Sequence, residues 1–331
     1  MGSKIIKRLA APFLVSVLLV GLIGGCTPKK PTVKIAVEFN NHAAAAYVAH
    51  DQGWFEEGGL EMLPVFQAYE SGAAIAAALS RGDIQIAYMG LTGAITSYAR
   101  GVPIKVIAGV HQYGYGLVVR PEIKEIADLE GKTIGSLRQG TVTDALLKLF
   151  MDRYNLEDLV ILRMSPSDSV LALISGSLDA AFIPEQHATV AEANGFPMLI
   201  QSQDLWPGMQ GDVLVVTTEL IEGNPDLVRE LMEITQRATD WVNDYPYGTA
   251  AIMARQLRIA GGEFSPAGTL AGANLEVTPA IISRSMERVV YATSISPIVV
   301  QDTIDFMVAF GYIEEGIEAA DILELSFLEG G

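Results

Sequence analysis

Cysteine is nearly absent from this chain, since Cys26 is the only one among 331 residues. A single cysteine excludes an intramolecular disulfide, and the residues after Cys26 have no thiol nucleophile and no cysteine ligand for a metal. Histidine is also scarce, with four residues and no close His-x-x-x-His pair. Half of the residues are hydrophobic, so we expect the folded body to be stabilised by its apolar cores.

Positive charge is in short supply as well. The sequence has 22 Lys and Arg against 39 Asp and Glu, which gives a formal net charge of −17 at pH 7. Nucleic acids and anionic membrane surfaces both require clustered Lys and Arg for binding. The composition therefore excludes nucleic acid as a partner.

The common catalytic motifs are missing. Gly131-Lys132-Thr133 imitates the end of a phosphate-binding loop, but Ile126 occupies the position of the required upstream glycine,. No Gly-x-Ser-x-Gly motif is present. A metal site formed by His42, His111 and Glu185 is conceivable, but we predict no metal, no cofactor and no enzymatic activity.

The N-terminus has the features of a secretory signal. Lys4, Lys7 and Arg8 precede an uncharged apolar stretch from Leu9 to Ile23, which is followed by Gly24-Gly25-Cys26. This stretch is shorter than the roughly 20 residues of a membrane span, and its end resembles a bacterial lipobox. We expect residues 1–25 to be a signal peptide and residues 26–32 to be a lipidated Cys26 with a polar tether. The protein would then be extracytoplasmic and anchored to the cell membrane.

The body alternates between strand and helix patterns. Strands are predicted at Val33 to Val37, at Leu60 to Phe66 and at intervals up to Val216, and Ser71 is predicted to cap a helix,. After Asn224 the pattern is helical, including a helix from Pro279 to Ala292. This alternation predicts two α/β units. We expect the first lobe to comprise residues 33–116 and 215–331 and the second lobe to comprise residues 117–214.

Several short motifs occur in a characteristic order, namely Asp51-Gln52-Gly53-Trp54-Phe55-Glu56, Leu79-Ser80-Arg81-Gly82-Asp83, Asp128-Leu129-Glu130-Gly131-Lys132, Gly176-Ser177-Leu178-Asp179-Ala180 and Asp204-Leu205-Trp206-Pro207-Gly208. In this order they resemble the solute-binding proteins for sulfonates, nitrate, taurine and thiamine precursors. The resemblance implies an α/β, type II periplasmic-binding-protein fold. Each of its two lobes is a mostly parallel sheet flanked by helices, and a helical segment follows at the C-terminus.

The resemblance also implies a mechanism and partners. The two lobes would close on a small-molecule solute, which a separate ABC permease and ATPase would import, and we expect a monomer. A sensor for a membrane receptor uses the same fold and remains an alternative. An enzyme related to thiamine-pyrimidine synthases is a second alternative, although those enzymes rely on additional His and Cys residues.

Ligands of open α/β sheets bind beyond the carboxyl ends of the strands, so the strand-to-helix loops provide the candidate ligand contacts. A helix cap is the alternative role for the Asn and Thr residues, and an ordinary helix N-terminal charge is the alternative for Glu185. A solvated hinge loop is the alternative for His111 to Tyr113, and packing under the hinge is the alternative for Trp206. The candidates are Asn40, Asn41, His42, Gly90, Leu91, Thr92, His111, Gln112, Tyr113, Thr141, Thr143, Glu185 and Trp206.

The predicted loops contain no evident Lys or Arg, and Arg138 is the nearest. This weakens a small inorganic anion as the ligand. We expect a neutral or zwitterionic organic solute with a ring, and sulfonates, taurine and aminopyrimidines remain open. A carboxylate in the cleft would favour a ligand with an amino or amidine edge.

Overall fold

The computed structural model describes residues 33–58, 67–69, 72–264 and 277–328. The predicted signal peptide, the predicted lipidation site at Cys26 and its tether lie outside these residues. The predicted strand from Leu60 to Phe66 and the predicted cap Ser71 also lie outside them.

Strands and helices alternate through most of the described residues. The strands are β1 Ile35–Glu38, β2 Gln67–Tyr69, β3 Ile86–Gly90, β4 Ile104–Gly109, β5 His111–Tyr113, β6 Tyr115–Val119, β7 Thr133–Ser136, β8 Val160–Arg163, β9 Ala180–Pro184, β10 Met198–Gln201, β11 Asp212–Thr217 and β12 Val289–Tyr291. The helices are α1 Ala44–Asp51, α2 Trp54–Glu57, α3 Gly72–Ser80, α4 Leu91–Ala99, α5 Val142–Tyr154, α6 Pro166–Ser175, α7 Glu185–Ala193, α8 Ser202–Leu205, α9 Thr218–Gly223, α10 Pro225–Asp244, α11 Pro246–Phe264, α12 Pro279–Met286, α13 Pro297–Ala309 and α14 Ala319–Ile322. Short 3₁₀ helices span Asn41–Ala43, Ile126–Leu129 and Leu325–Phe327.

These strands form two five-stranded sheets. The first has the order β2-β1-β3-β11-β4 and the second the order β10-β6-β9-β7-β8. In the first sheet β1 is parallel to β2 and β3, whereas β11 is antiparallel to β3 and β4. In the second sheet β7 is parallel to β8 and β9, whereas β6 is antiparallel to β9 and β10.

The α/β fold class and the mostly parallel sheets are confirmed, since four of the five strands of each sheet run in one direction and a single strand, β11 in the first sheet and β6 in the second, runs antiparallel to them. The reason for the antiparallel direction lies in the connections. The chain passes from the first sheet to the second at β6 and returns to the first sheet at β11. A parallel neighbour requires a helical crossover within one sheet, and neither of these two connections is such a crossover.

Successive residues of a strand point to opposite faces of its sheet. Because helices cover both faces of each sheet, apolar side chains are buried on both,. Ile35 and Val37 of β1 pack in a core with α1, α10 and α11, while Ala36 packs on the opposite face with α3, α4 and α13. In the second sheet Leu117 packs toward α5, and Val118 packs toward α6 and α7. This double coverage fixes the positions of the strand ends.

A two-stranded ribbon of β5 and β12 lies at the crossing between the sheets. The predicted helix from Pro279 to Ala292 is therefore wrong in its last part, since α12 ends at Met286. Val289 and Tyr291 are buried and Val290 is exposed, and this alternation suits a strand. Next to the ribbon, Tyr113 has φ 64° and Gly114 has φ 81°, so the chain turns sharply before it enters β6.

Within the described part of the chain, none of the helices combines the length and the apolar character needed to cross a membrane.

Candidate functional site

A cavity of about 260 Å³ lies between elements of the first sheet and elements of the second. One wall comes from the end of β1, from α3, and from the end of β3 with α4. The opposite wall comes from β6 and from the loop that leads into α5. The lining residues are Glu38, Gly72, Ala73, Ala76, Ala77, Ser80, Gly90, Thr92, Gly93, Thr96, Ser97, Arg100, Val102, Tyr115, Leu137, Gln139, Gly140, Thr141, Val142 and Thr143.

One face of α4 supplies a polar stripe to the cavity. Thr92, Thr96 and Arg100 follow one another at intervals of four residues, which places them on the same side of a helix,. The Thr96 hydroxyl donates to the Thr92 carbonyl at 2.8 Å. The Thr92 hydroxyl is buried and makes no hydrogen bond within the described residues. It is therefore available to a solute.

Glu38 is the buried carboxyl group of the cavity wall. Its Oε1 accepts a hydrogen bond from the backbone N–H of Gly90 at 3.3 Å, and its Oε2 accepts from Nδ2 of Asn40 at 3.4 Å. Burial, together with the nearby charge of Asp212, raises the pKa of Glu38 to about 8, whereas the Gly90 N–H opposes the shift,. No Lys or Arg of the described residues forms an ion pair with Glu38.

The opposite wall is a threonine loop at the start of α5. Thr141 caps this helix by accepting from the N–H of Asp144 at 3.4 Å, and its hydroxyl donates to the Arg138 carbonyl at 2.8 Å. The hydroxyl oxygen of Thr143 lies 3.2 Å from that of Thr141. The predicted alternatives of capping and lining the site are thus both realised by Thr141.

The first predicted loop lies behind the cavity rather than in it. Asn40 accepts from the N–H of His42 at 2.8 Å, and Nδ2 of Asn41 donates to the Ser285 hydroxyl at 2.9 Å. Nε2 of His42 lies 2.7 Å from the Gly114 carbonyl. These three side chains are buried and hold the loop in place.

His42 and His111 come together, with ring centroids 4.1 Å apart. The third member of their cluster is Asp212, whose Oδ1 lies 3.4 Å from Nε2 of His111. Glu185, which the sequence suggested as the third group of a conceivable metal site, lies elsewhere. Its Oε1 accepts from Nη1 of Arg288 at 2.7 Å and from the Thr189 hydroxyl at 3.1 Å.

The remaining predicted residues pack in a core or pair with neighbouring elements and do not line the cavity. Leu91 packs in the core around α3 and α4. Gln112 and Tyr113 belong to the β5–β12 ribbon, and the Tyr113 hydroxyl accepts from the N–H of Gly208 at 3.2 Å. The Trp206 ring packs against Phe306 with centroids 5.2 Å apart. Of the thirteen predicted contacts, the cavity is lined by Gly90, Thr92, Thr141 and Thr143.

Sequence reasoning missed Glu38, Arg100 and Tyr115. Glu38 is the last residue of the first strand. The rule that ligands bind beyond the carboxyl ends of strands, from which Asn40 was predicted, therefore applies to Glu38 as well. Arg100 also corrects the expectation that the site has no nearby Arg or Lys. The sequence feature that could have predicted Arg100 as a lining residue is its spacing of four residues from Thr96 and eight from Thr92, which places all three on one face of the helix,.

A comparison with known families identifies the group to which this chain belongs. The model of the family described as NMT1/THI5 like matches residues 40–249, which is more than half of the chain. The chain belongs to the NMT1/THI5-like family. The motif resemblance is thereby confirmed, and the matched range includes most of the residues that line the cavity.

Individual relatives of this NMT1/THI5-like chain are binding proteins. A "Putative binding protein" of Brucella abortus is 27% identical over 219 residues, covering 64% of this chain and 67% of the relative. The "Taurine-binding periplasmic protein" of Escherichia coli is 27% identical over 204 residues, covering 60% and 62%. The alkanesulfonate-binding protein SsuA of Xanthomonas axonopodis, solved with MOPS, superposes with a TM-score of 0.73 at 17% identity over 90% of this chain and 99% of that one. This superposition confirms the periplasmic-binding-protein fold.

Proposed function

We propose that this protein is the solute-binding component of an ABC importer and that it captures a small organic solute carrying an amino or amidine group. Family membership supports the binding role, since the relatives named above are binding proteins for small solutes. One observation carries the choice of solute: a buried carboxyl group, Glu38, lines the cavity without a cationic partner among the described residues.

Glu38 already occupies the position at which an anionic ligand would otherwise bind. It accepts from the N–H of Gly90, just before the first turn of α4. A ligand anion placed there would meet a carboxyl group rather than free N–H donors. An ammonium or amidinium group would instead donate a hydrogen bond to the carboxyl group of Glu38 and would favour its ionised form.

The other end of the cavity suits an acceptor group on the solute. Arg100 is eight residues along α4 from Thr92, or about 12 Å at the helical rise, and Gln139 and Thr143 line the opposite wall. These side chains donate hydrogen bonds to carbonyl, carboxylate or sulfonate oxygens. Zwitterionic solutes such as taurine therefore match both ends.

The size of the cavity limits the solute. A volume of about 260 Å³ is near the lower end of ligand sites, which commonly measure roughly 300–1,000 Å³. We infer that a large cofactor-like ring system is not the ligand. The proposed mechanism is closure of two lobes, each consisting of one sheet with its helices, around a solute that contacts both cavity walls.

A thermal-shift screen tests this proposal. The panel is taurine, ethanesulfonate, nitrate, an aminopyrimidine and a flavin, added to protein that has been unfolded and refolded to remove co-purified solute. A ligand that binds only the native state raises the melting temperature. We expect shifts with the amine-bearing compounds, and a shift with nitrate or the flavin alone would contradict the proposed solute class.

We further propose that the protein is extracytoplasmic, that Cys26 carries the lipid after removal of residues 1–25, and that the body acts as a monomer with a separate permease and ATPase. The Gly-Gly-Cys sequence after an apolar stretch supports the anchor,. Replacement of Cys26 by Ala should abolish labelling by radioactive palmitate and release the protein from the membrane fraction. Unchanged labelling would contradict lipidation at Cys26.

A further inference from the structure

The cluster of His42, His111 and Asp212 is a candidate for a second site, which adjoins the wall of the solute cavity at Gly90 and Tyr115. Each residue offers a ring nitrogen or carboxylate oxygen, and these three atoms lie within 4.8 Å of one another. All three side chains are fully buried. The chain brings them from the loop after β1, from β5 and from the first residue of β11.

The histidine nitrogens of this cluster lack hydrogen-bond partners. Within the described residues none is made by Nδ1 of His42 or by either ring nitrogen of His111. The Asp212 carboxylate has two polar neighbours, the Tyr115 hydroxyl and, at 3.4 Å, Nε2 of His111. Leaving buried polar atoms without partners is costly, so these nitrogens beside a buried carboxylate indicate that another species binds there.

The hydrogen bond of His42 leaves one of its two ring nitrogens with a free lone pair. The Gly114 carbonyl can only accept a hydrogen bond, so Nε2 of His42 must carry the proton in their 2.7 Å contact. Nδ1 is then unprotonated. A histidine whose other nitrogen donates to a backbone carbonyl is the usual arrangement around a bound metal ion.

One distance and the charge of the cluster agree with a metal ion. Two ligands at about 2.0–2.1 Å from a tetrahedral Zn²⁺ lie about 3.4 Å apart, and Nε2 of His111 lies 3.4 Å from Oδ1 of Asp212, while all three ligand atoms lie within 4.8 Å of one another. Among the described residues no Lys or Arg forms an ion pair with Asp212. A divalent cation would supply positive charge to Asp212.

We propose that His42, His111 and Asp212 bind one divalent transition-metal ion, with Zn²⁺ as the best match to a two-histidine, one-carboxylate set. The His111 ring packs directly against the backbone of Gly211, since a Cβ at that position would lie only 2.1 Å from Cε1 of the ring. Only glycine therefore leaves room for His111 in this orientation. The site ties together β5 and β11, the two places where the chain crosses between the sheets. It does not depend on the identity of the solute.

The test uses protein without a histidine tag, unfolded in a chelator and refolded with or without Zn²⁺ or Co²⁺. We expect one equivalent of Zn²⁺ by elemental analysis after gel filtration. With Co²⁺ we expect visible absorption bands of a low-coordinate site. Substoichiometric metal together with a featureless Co²⁺ spectrum in the wild-type protein would overturn the proposal and leave water as the occupant of the cluster.

Variants separate this site from non-specific binding. His42→Gln and Asp212→Asn should each weaken Zn²⁺ binding by roughly 100-fold, whereas the matched control His187→Gln, a buried histidine of α7, should bind as the wild type does. Equal binding by all four proteins would overturn the assignment. If the cluster variants fail to fold, the Co²⁺ spectrum of the wild-type protein decides the question.

Discussion

Elements of the first sheet meet elements of the second in two zones of different character. Next to the cavity, the residues that bring the two sets of elements close together are small and uncharged, with Gly90 next to Val142 and Thr96 next to Gly140. On the other side, which we call the arginine zone, Arg288 and Arg284 bind Glu185 and Glu192 of α7. These hydrogen bonds and ion pairs measure 2.7–2.9 Å.

The difference indicates which zone opens. Separating the cavity walls breaks few direct bonds, although the hydroxyl of Tyr312 donates to Oδ2 of Asp144 at 2.5 Å. Separating the arginine zone would leave Glu185 buried and without its cation, which is costly. We therefore expect the lobes to pivot about the arginine zone and to open at the cavity.

The largest effect should come from removing Arg288. Arg288→Met leaves the carboxylates of Glu185 and Glu192 without this partner and should lower the free energy of unfolding by about 3 kcal/mol. Urea denaturation measures it. The matched control is Arg229→Met, because Arg229 pairs with Asp226 on the surface and such pairs contribute about 0–1 kcal/mol. Equal losses in the two variants would show that the arginine zone is no stronger than a surface ion pair.

The cavity zone should respond to a single methyl group. A Cβ on Gly90 would lie 3.0 Å from Cγ2 of Val142, and the φ of Gly90 is −54°, so Gly90→Ala strains the closed lobes without straining the backbone. We expect solute affinity to fall roughly tenfold, or about 1.4 kcal/mol, with little change in stability. Gly223→Ala, where a Cβ meets no atom within 4 Å, is the control. Unchanged affinity in Gly90→Ala would place the solute elsewhere.

The third effect, which is spread over more than two pH units, is a dependence of stability on pH. Burial raises the pKa of Glu185 from 4.5 to about 7, although Arg288 opposes the shift. The folded state therefore holds a proton that the unfolded state releases between pH 4.5 and 7. The stabilisation from this group is complete below pH 4.5 and is lost as the pH rises through 7.

Glu185→Gln should make the profile of unfolding free energy against pH less steep between pH 4.5 and 7, with the contribution of Glu38 remaining, and urea denaturation at several pH values measures this. The wild-type slope from this group is at most about 1.4 kcal/mol per pH unit. The exposed Glu233→Gln on α10 serves as the control and should retain the wild-type slope. A Glu185→Gln profile that parallels the wild type would refute the assignment of this proton to Glu185.

The sequence was a good guide to the fold because buried strands and capped helices leave local patterns. It failed at Pro279 to Ala292, where Val289 to Tyr291 pair with β5, a partner distant in sequence. Local patterns do not reveal such pairing. Of the loops that the sequence proposed as ligand contacts, those with Gly90, Thr92, Thr141 and Thr143 line the cavity.

What the sequence could not provide was the direction of each side chain. Asn40, Asn41 and His42 occupy a strand-end loop as expected, but none of them lines the cavity, because Asn41 and His42 bond to Ser285 and Gly114 while Asn40 caps the turn and supports Glu38 from behind. Glu185 is drawn to Arg288, which lies 103 residues away. Asp212 joins His42 and His111 only because β11 returns to the first sheet. These pairings depend on tertiary contacts that spacing alone does not encode.

Isothermal titration calorimetry with taurine and ethanesulfonate, which differ by the amino group, tests the central claim most directly. The wild-type protein should bind taurine more tightly by at least roughly tenfold, or about 1.4 kcal/mol, because only taurine offers a cation to Glu38. Glu38→Gln keeps the shape of the side chain but cannot ionise when an ammonium group binds, so this variant should lose the preference. A preference for ethanesulfonate, or a taurine preference that persists in Glu38→Gln, would contradict the account.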